Sequence, residues 1–325
     1  MLFNRKYVLV SAVAAAVLSL ASCGGGGGDS SATPPSSGGG TGGNTVMGSA
    51  AKGIVINGIV TLKDSSGNVL PTTPTQILTS SNGSFTANVG NYTGPVLVEV
   101  TAGPNTTIQD EVTGVNQSAS NLTGVLLESV TVVAAGQPAT ANITPFTTVV
   151  AQLAKRSAPM GQPVSAVLIQ QAQAALATTL GFNPVTTAPV NSRDAQANAG
   201  AAPEARKQAL LLAALAQFGT TNATCEALPT RAEELACAAR QFATAYSSSA
   251  ISGGNASIVV NGNALSGLSQ AITVVSANSE INRTGVTVVP SADPSTSALA
   301  NAESNPNTPQ TVVINVPEGG FNTGD

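Results

Sequence analysis

The run Gln76-Ile77-Leu78-Thr79-Ser80-Ser81-Asn82-Gly83-Ser84-Phe85-Thr86-Ala87-Asn88-Val89 decides the fold class. Asn82-Gly83 is the strongest short hairpin signal in the chain, because both residues accept positive φ and β-prone residues flank them. After it Phe85, Ala87 and Val89 alternate with polar positions, the period of a half-buried strand. Further on, Val96, Val98 and Val100 share one face and Leu97, Glu99 and Thr101 the other, and Val125 to Val133 adds a last apolar stretch. Upstream, Ile54, Ile56, Val60 and Leu62 lie in a β-branched run that contains Asn57-Gly58, and Asp64-Ser65-Ser66-Gly67-Asn68 reads as a turn. Short strands separated by turn residues predict a β-sandwich of about seven strands over residues 47–140.

Beyond it the hydrophobic period becomes helical. Thr144 can N-cap a helix with Pro145 at its first position, and Phe146, Val149, Val150 and Leu153 fall on one face. Pro163 opens a second helix, with Val164, Val167, Leu168, Ala175, Leu176 and Leu180 inward and Gly181 after its end. Pro203 opens a third, in which Leu210, Leu211, Leu215 and Phe218 precede Gly219. Thr230 and Glu233 have the spacing of a capping box for a fourth, whose stripe is Leu235, Phe242 and Tyr246. With a strand at Ser257 to Val260 and helical spacing from Ala264 to Val275, residues 141–283 read as a helical domain. Residues 284–325 read as a mobile segment with short strands at Thr284 to Val289 and Thr311 to Val316. The fold class expected is α+β: an N-terminal β-sandwich followed by a helical domain with a few C-terminal strands.

Two resemblances extend this reading. Ser80-Ser81-Asn82-Gly83-Ser84-Phe85 resembles the hairpin of carboxypeptidase-regulatory-like, transthyretin-like sandwiches. Gly94-Pro95-Val96-Leu97-Val98-Glu99-Val100 is similar to a strand of bacterial lipoproteins built on that sandwich, in which a Thr-Pro-apolar-Thr-Thr helix start often follows, here Thr144 to Thr148. These are turn and packing motifs, so the resemblance implies a fold and carries no active site. At the start of the chain, Arg5 and Lys6, the apolar run Tyr7 to Ala21 and small residues before Cys23 make a secretory signal peptide over 1–22. Leu20-Ala21-Ser22-Cys23 resembles the lipobox of bacterial lipoproteins. The resemblance implies a diacylglyceryl group on the Cys23 sulfur, cleavage before Cys23, and acylation of the new amino terminus. In that class Gly24, rather than Asp, directs the product to the outer membrane, facing the periplasm or the cell surface.

Residues 23–46 are then the lipidated cysteine and a flexible Gly/Ser tether. Its Gly24 to Asn44 stretch, almost wholly Gly, Ser, Pro and Thr, reaches about 25 Å r.m.s.. With Cys23 lipidated, Cys225 and Cys237 remain as a pair in an oxidising compartment, and a disulfide between them is expected.

Composition removes whole classes of chemistry. The chain has 12 Lys and Arg against 16 Asp and Glu, and loss of Arg5 and Lys6 with the leader takes the net charge from −4 to −6. Without a basic run to neutralise phosphates, no nucleic acid is expected as a partner. Histidine is absent, and with it the commonest general base, the commonest zinc ligand and every Ser-His or Cys-His nucleophile. Tryptophan is absent too, which disfavours sugar stacking. Ser49 and Lys52 have the Ser-x-x-Lys spacing of penicillin-recognising enzymes but border the tether, without the companion motifs that chemistry needs. Asp110 and Glu111 read as a solvated loop edge, the weaker alternative being a calcium site that they form with Asp64 or backbone carbonyls. No catalytic residue, metal site or cofactor is expected beyond the lipid on Cys23. The function expected is therefore non-enzymatic: a membrane-anchored envelope lipoprotein that binds or scaffolds an envelope or extracellular protein or ligand. The alternatives are a carrier of a small apolar ligand in the helical domain and, behind it, an envelope hydrolase using carboxylates.

Overall fold

A computed structural model describes residues 43–317; the expected signal peptide, Cys23, most of the expected tether and residues 318–325 lie outside the described residues. Ten strands precede the first helix among the described residues: β1 (Thr45–Ser49), β2 (Val55–Ile56), β3 (Ile59–Asp64), β4 (Ile77–Leu78), β5 (Ser84–Asn88), β6 (Gly94–Thr101), β7 (Thr107–Gln109), β8 (Asn116–Ser118), β9 (Val125–Val133) and β10 (Ala139–Thr140). They form a sheet β10-β1-β5, a sheet β4-β3-β6-β9 and a small sheet β2-β7-β8. The helices are α1 (Pro145–Ser157), α2 (Ala166–Leu180), α3 (Ala195–Ala199), α4 (Pro203–Gly219), α5 (Ala223–Glu226) and α6 (Arg231–Ala245). Then come β11 (Ala250–Ser252), β12 (Asn255–Val260), a 3-10 turn at Gly262–Leu265, α7 (Leu268–Ala277), α8 (Ser297–Ser304) and β13 (Gln310–Asn315). The last sheet runs β11-β12-β13. The class is α+β.

The sheet β4-β3-β6-β9 is the spine of the molecule, because it is covered on both faces. On one face Val60, Leu62, Val96, Val98, Val100, Leu127 and Val133 pack with Val46, Phe85, Ala87 and Ala139 from the sheet that contains β1. On the other, Leu97 and Val130 join the helical core of Phe146, Leu176, Leu211, Leu215 and Phe242. Leu97 is therefore buried, although its strand neighbours Val96 and Val98 point the opposite way. Apolar packing runs in the other direction too, since Ala216, Leu235 and Ala239 of the helices join the strand-side cluster.

Helix α1 is locked to this sheet by the threonines of the Thr-Pro-Phe-Thr-Thr run. Thr144 and Thr147 form a reciprocal capping box. The Thr147 hydroxyl also donates to the Glu128 carbonyl at 2.7 Å, while the Glu128 amide donates to Thr148 Oγ1 at 3.0 Å. Each hydroxyl thus satisfies helix-start and sheet groups that would otherwise be buried unpaired. Between the helices Phe146 meets Phe182 and Phe242 edge-on, with ring centroids 5.7 and 5.2 Å apart.

Several expectations are revised. Asn82-Gly83 does form a tight turn: Gly83 has φ 79°, its amide donates to the Ser80 carbonyl, and the Ser80 amide donates to the Ser84 carbonyl. It is not a hairpin of one sheet, because β4 pairs with β3 whereas β5 pairs with β1. The turn packs against the residue after β1, where a Cβ on Gly83 would come within 2.6 Å of the Ala50 carbonyl oxygen. The second helix starts after Ser165, whose side chain accepts the Leu168 amide, rather than at Pro163. Residues 284–289 form no strand, and α8 occupies part of the stretch given no element, burying Leu299 and Ala302. The strand at the end of the described chain, β13, pairs with β12 along its whole length.

Candidate functional site

Four charged residues converge where the strands meet the helices. The chain leaves β1 through Ala50-Ala51-Lys52-Gly53, with the Ala51 amide bonded to the Ile143 carbonyl at 2.8 Å. It leaves β7 through Asp110-Glu111. Gly53 holds φ 61°, and a Cβ there would lie 1.5 Å from the Gln109 carbonyl oxygen, so only glycine lets the two segments touch. The Gly53 amide donates to Glu111 Oε1. Lys52 is 2% exposed, and its Nζ stands 3.9 Å from Glu111 Oε2. Neither Nζ nor Oε2 has a hydrogen-bond partner.

Beside them Asp110 is fully buried and held by Arg231, the first residue of α6. Arg231 Nε donates to Oδ2 at 3.0 Å and Nη2 to Oδ1 at 2.9 Å, a two-pronged clamp. The same guanidinium donates to the Ala216 carbonyl of α4 and to Glu234 of α6. Asp110 also accepts the Val112 amide and the Thr113 hydroxyl. Burial pushes its carboxyl upward, but the Arg231 bonds and charge, with those of Thr113 and Val112, outweigh it and hold the group below the usual carboxylate range. For Glu111 the balance is reversed: burial raises its pKa against the opposing Lys52 charge and Gly53 amide. Burial likewise lowers Lys52, against the attraction of Glu111. Two adjacent acids thus have opposite tendencies, Asp110 ionised and Glu111 inclined to keep its proton.

The expectation of a solvated loop edge at Asp110 and Glu111 is corrected: both are buried, because α6 closes over the end of β7. Lys52 is buried as well. It is among the largest fully buried side chains, and its ammonium makes no bond to Ser49, so the Ser-x-x-Lys spacing produces no nucleophile pair. The signal for this cluster was present but faint: a lysine inside Ala50-Ala51-Lys52-Gly53-Ile54-Val55, in a chain where only 9% of residues are charged.

Glu111 and Gly53 border a cavity of about 40 Å³ that Asn82, Gln109, Asn191 and Leu212 also line. Asp110 does not reach it, so no second carboxyl joins Glu111 there as a general acid/base pair requires. Other acids are tied to their own cations: Glu99 to Lys63 at 2.7 Å, Glu128 to Lys155 at 2.8 Å and Asp293 to Lys207 at 3.1 Å. Lys207 donates to both Asp293 and Ser295, which makes the trio a tie between α4 and the segment before α8. In the helical core the cavity bounded by Phe146, Leu215, Phe242 and Leu299 measures about 20 Å³, room for about one water. No group of three or more metal-ligating side chains occurs among the described residues.

Cys225 of α5 and Cys237 of α6 form the expected disulfide, with Cα atoms 5.4 Å apart. Asn222 caps α5 and turns Cys225 back toward the second turn of α6. Cys23 lies outside the described residues. Comparison of the chain with protein-family models, curated proteins and solved structures finds no match.

Proposed function

We propose that the protein is a lipid-anchored envelope lipoprotein whose folded body serves as a non-enzymatic binding or scaffolding module, held at the outer membrane through Cys23. The observation that carries this reading is the arithmetic of the cysteines. Three occur in the chain, and two are consumed by the Cys225–Cys237 disulfide. The third sits in Leu20-Ala21-Ser22-Cys23, after a basic and then apolar leader. A disulfide also suits an oxidising, extracytoplasmic compartment. The strands from β1 to β10 are read as a transthyretin-like sandwich, supported by the single apolar cluster shared by the sheets containing β1 and β6. They depart from the simple pattern in their number and in the sheet change at Asn82-Gly83.

Scaffolding is favoured over carriage because the cavity bounded by Phe146, Leu215, Phe242 and Leu299 in the helical core measures about 20 Å³, far below the volume of a small-ligand site. It is favoured over carboxylate hydrolysis because Asp110 is clamped away from the cavity that Glu111 borders. Metabolic labelling with a fatty-acid analogue tests the anchor. The wild-type chain incorporates label, and Cys23→Ala incorporates none; undiminished labelling of Cys23→Ala would overturn the assignment.

A further inference from the structure

We propose that Lys52 and Glu111 become covalently joined by an isopeptide bond, formed by the folded protein without any other enzyme. The geometry supplies each participant. Lys52 Nζ and Glu111 Oε2 face each other at 3.9 Å in the protein interior, and neither has another partner. The remaining carboxyl oxygen, Oε1, accepts the Gly53 amide. That amide is positioned to stabilise the oxyanion that develops when the amine adds to the carboxyl carbon. Asp110, the other nearby carboxyl, is committed to Arg231 and does not compete for the lysine.

The step balances without an oxidant, metal or cofactor. The neutral amine of Lys52 attacks Cδ of the protonated Glu111 carboxyl. The Nζ–Cδ bond forms and the Cδ–Oε2 bond breaks. Oε2 departs as water, carrying the carboxyl proton and one proton from the amine. Burial favours the neutral form of both reactants, since it lowers the lysine pKa and raises that of the glutamate. Holding the two groups in one place removes the entropic cost of bringing them together. The cavity of about 40 Å³ bordered by Gly53 and Glu111 can receive the released water.

An ordinary buried ion pair is the competing description, and it leaves the Lys52 ammonium and Glu111 Oε2 each short of hydrogen bonds. Peptide mass mapping of the wild-type chain, unfolded, reduced and alkylated before digestion, separates the two. The expected result is a branched species joining the peptide that contains Lys52 to the one that contains Glu111. Its mass is one water below the sum of the two, and fragmentation places the link at those residues. Recovery of both peptides separately at their sequence masses would overturn the proposal, as would a water loss located at another residue. In Lys52→Met and in Glu111→Ala the branched species disappears; the wild-type result decides the matter even if either variant folds poorly.

Discussion

At the scale of single residues, Arg231 is the group on which the junction depends most visibly. Its guanidinium satisfies Asp110 on both oxygens and reaches α4 and Glu234 besides. Removing one partner of a buried pair strands the other charge. Arg231→Met is therefore expected to destabilise the protein by about 3–5 kcal/mol, measured by denaturant unfolding at neutral pH. A loss below about 1 kcal/mol would mean that Asp110 is solvated. The same clamp sets an acid dependence. Because the folded state holds Asp110 below its ordinary value of 3.8, its contribution is fully present above that value and is lost as pH falls through the lowered one. Unfolding free energy should thus fall in strong acid for the wild type, and the gap to Arg231→Met should narrow there; a gap that stays constant into strong acid would contradict it. The Asp110–Arg231 clamp, unlike the buried Lys52, left no signal in the sequence. Local sequence marks Asp110-Glu111 as polar and loop-like, and only the closure of α6, over a hundred residues away, buries it.

At the scale of elements, the readable features were those with local causes. The Thr230–Glu233 capping box, the Thr144 cap before Pro145 and the left-handed Gly181 after α2 all lie where side-chain chemistry puts them. What escaped were choices made by partners distant in sequence: which sheet a strand joins after Asn82-Gly83, and whether α8 forms among Ser, Asn and Ala residues. Both faces of the sheet containing β6 are covered, so its alternation understates burial at Leu97. The disulfide belongs to this scale as well. It pins α5 to α6 across a sequence separation of 12. In the chain-entropy model, closing a loop of that size contributes about 3 kcal/mol. Cys225→Ser with Cys237→Ser is expected to lower the unfolding free energy by about that amount. Reductant should then have no further effect on the variant; equal stability of variant and wild type would show that the bond is absent in the cell.

At the scale of the whole molecule, two apolar clusters interlock across the change from strands to helices near residue 141. Leu97 and Val130 contribute to the helical side, and Ala216 and Leu235 to the strand side. The described residues 43–317 belong to one compact unit. The proposed anchor rests on sequence outside the described residues, where motif rather than packing carries the reading: a basic and then apolar start, a cysteine after Leu-Ala-Ser, and a Gly/Ser-rich stretch. Fractionation of cells making the wild type or Cys23→Ala tests the anchored state most directly. A lipid anchor predicts that the wild type sediments with membranes and leaves them only in detergent, whereas Cys23→Ala stays soluble with its fold unchanged. Equal partitioning of the two proteins between membrane and soluble fractions would contradict it.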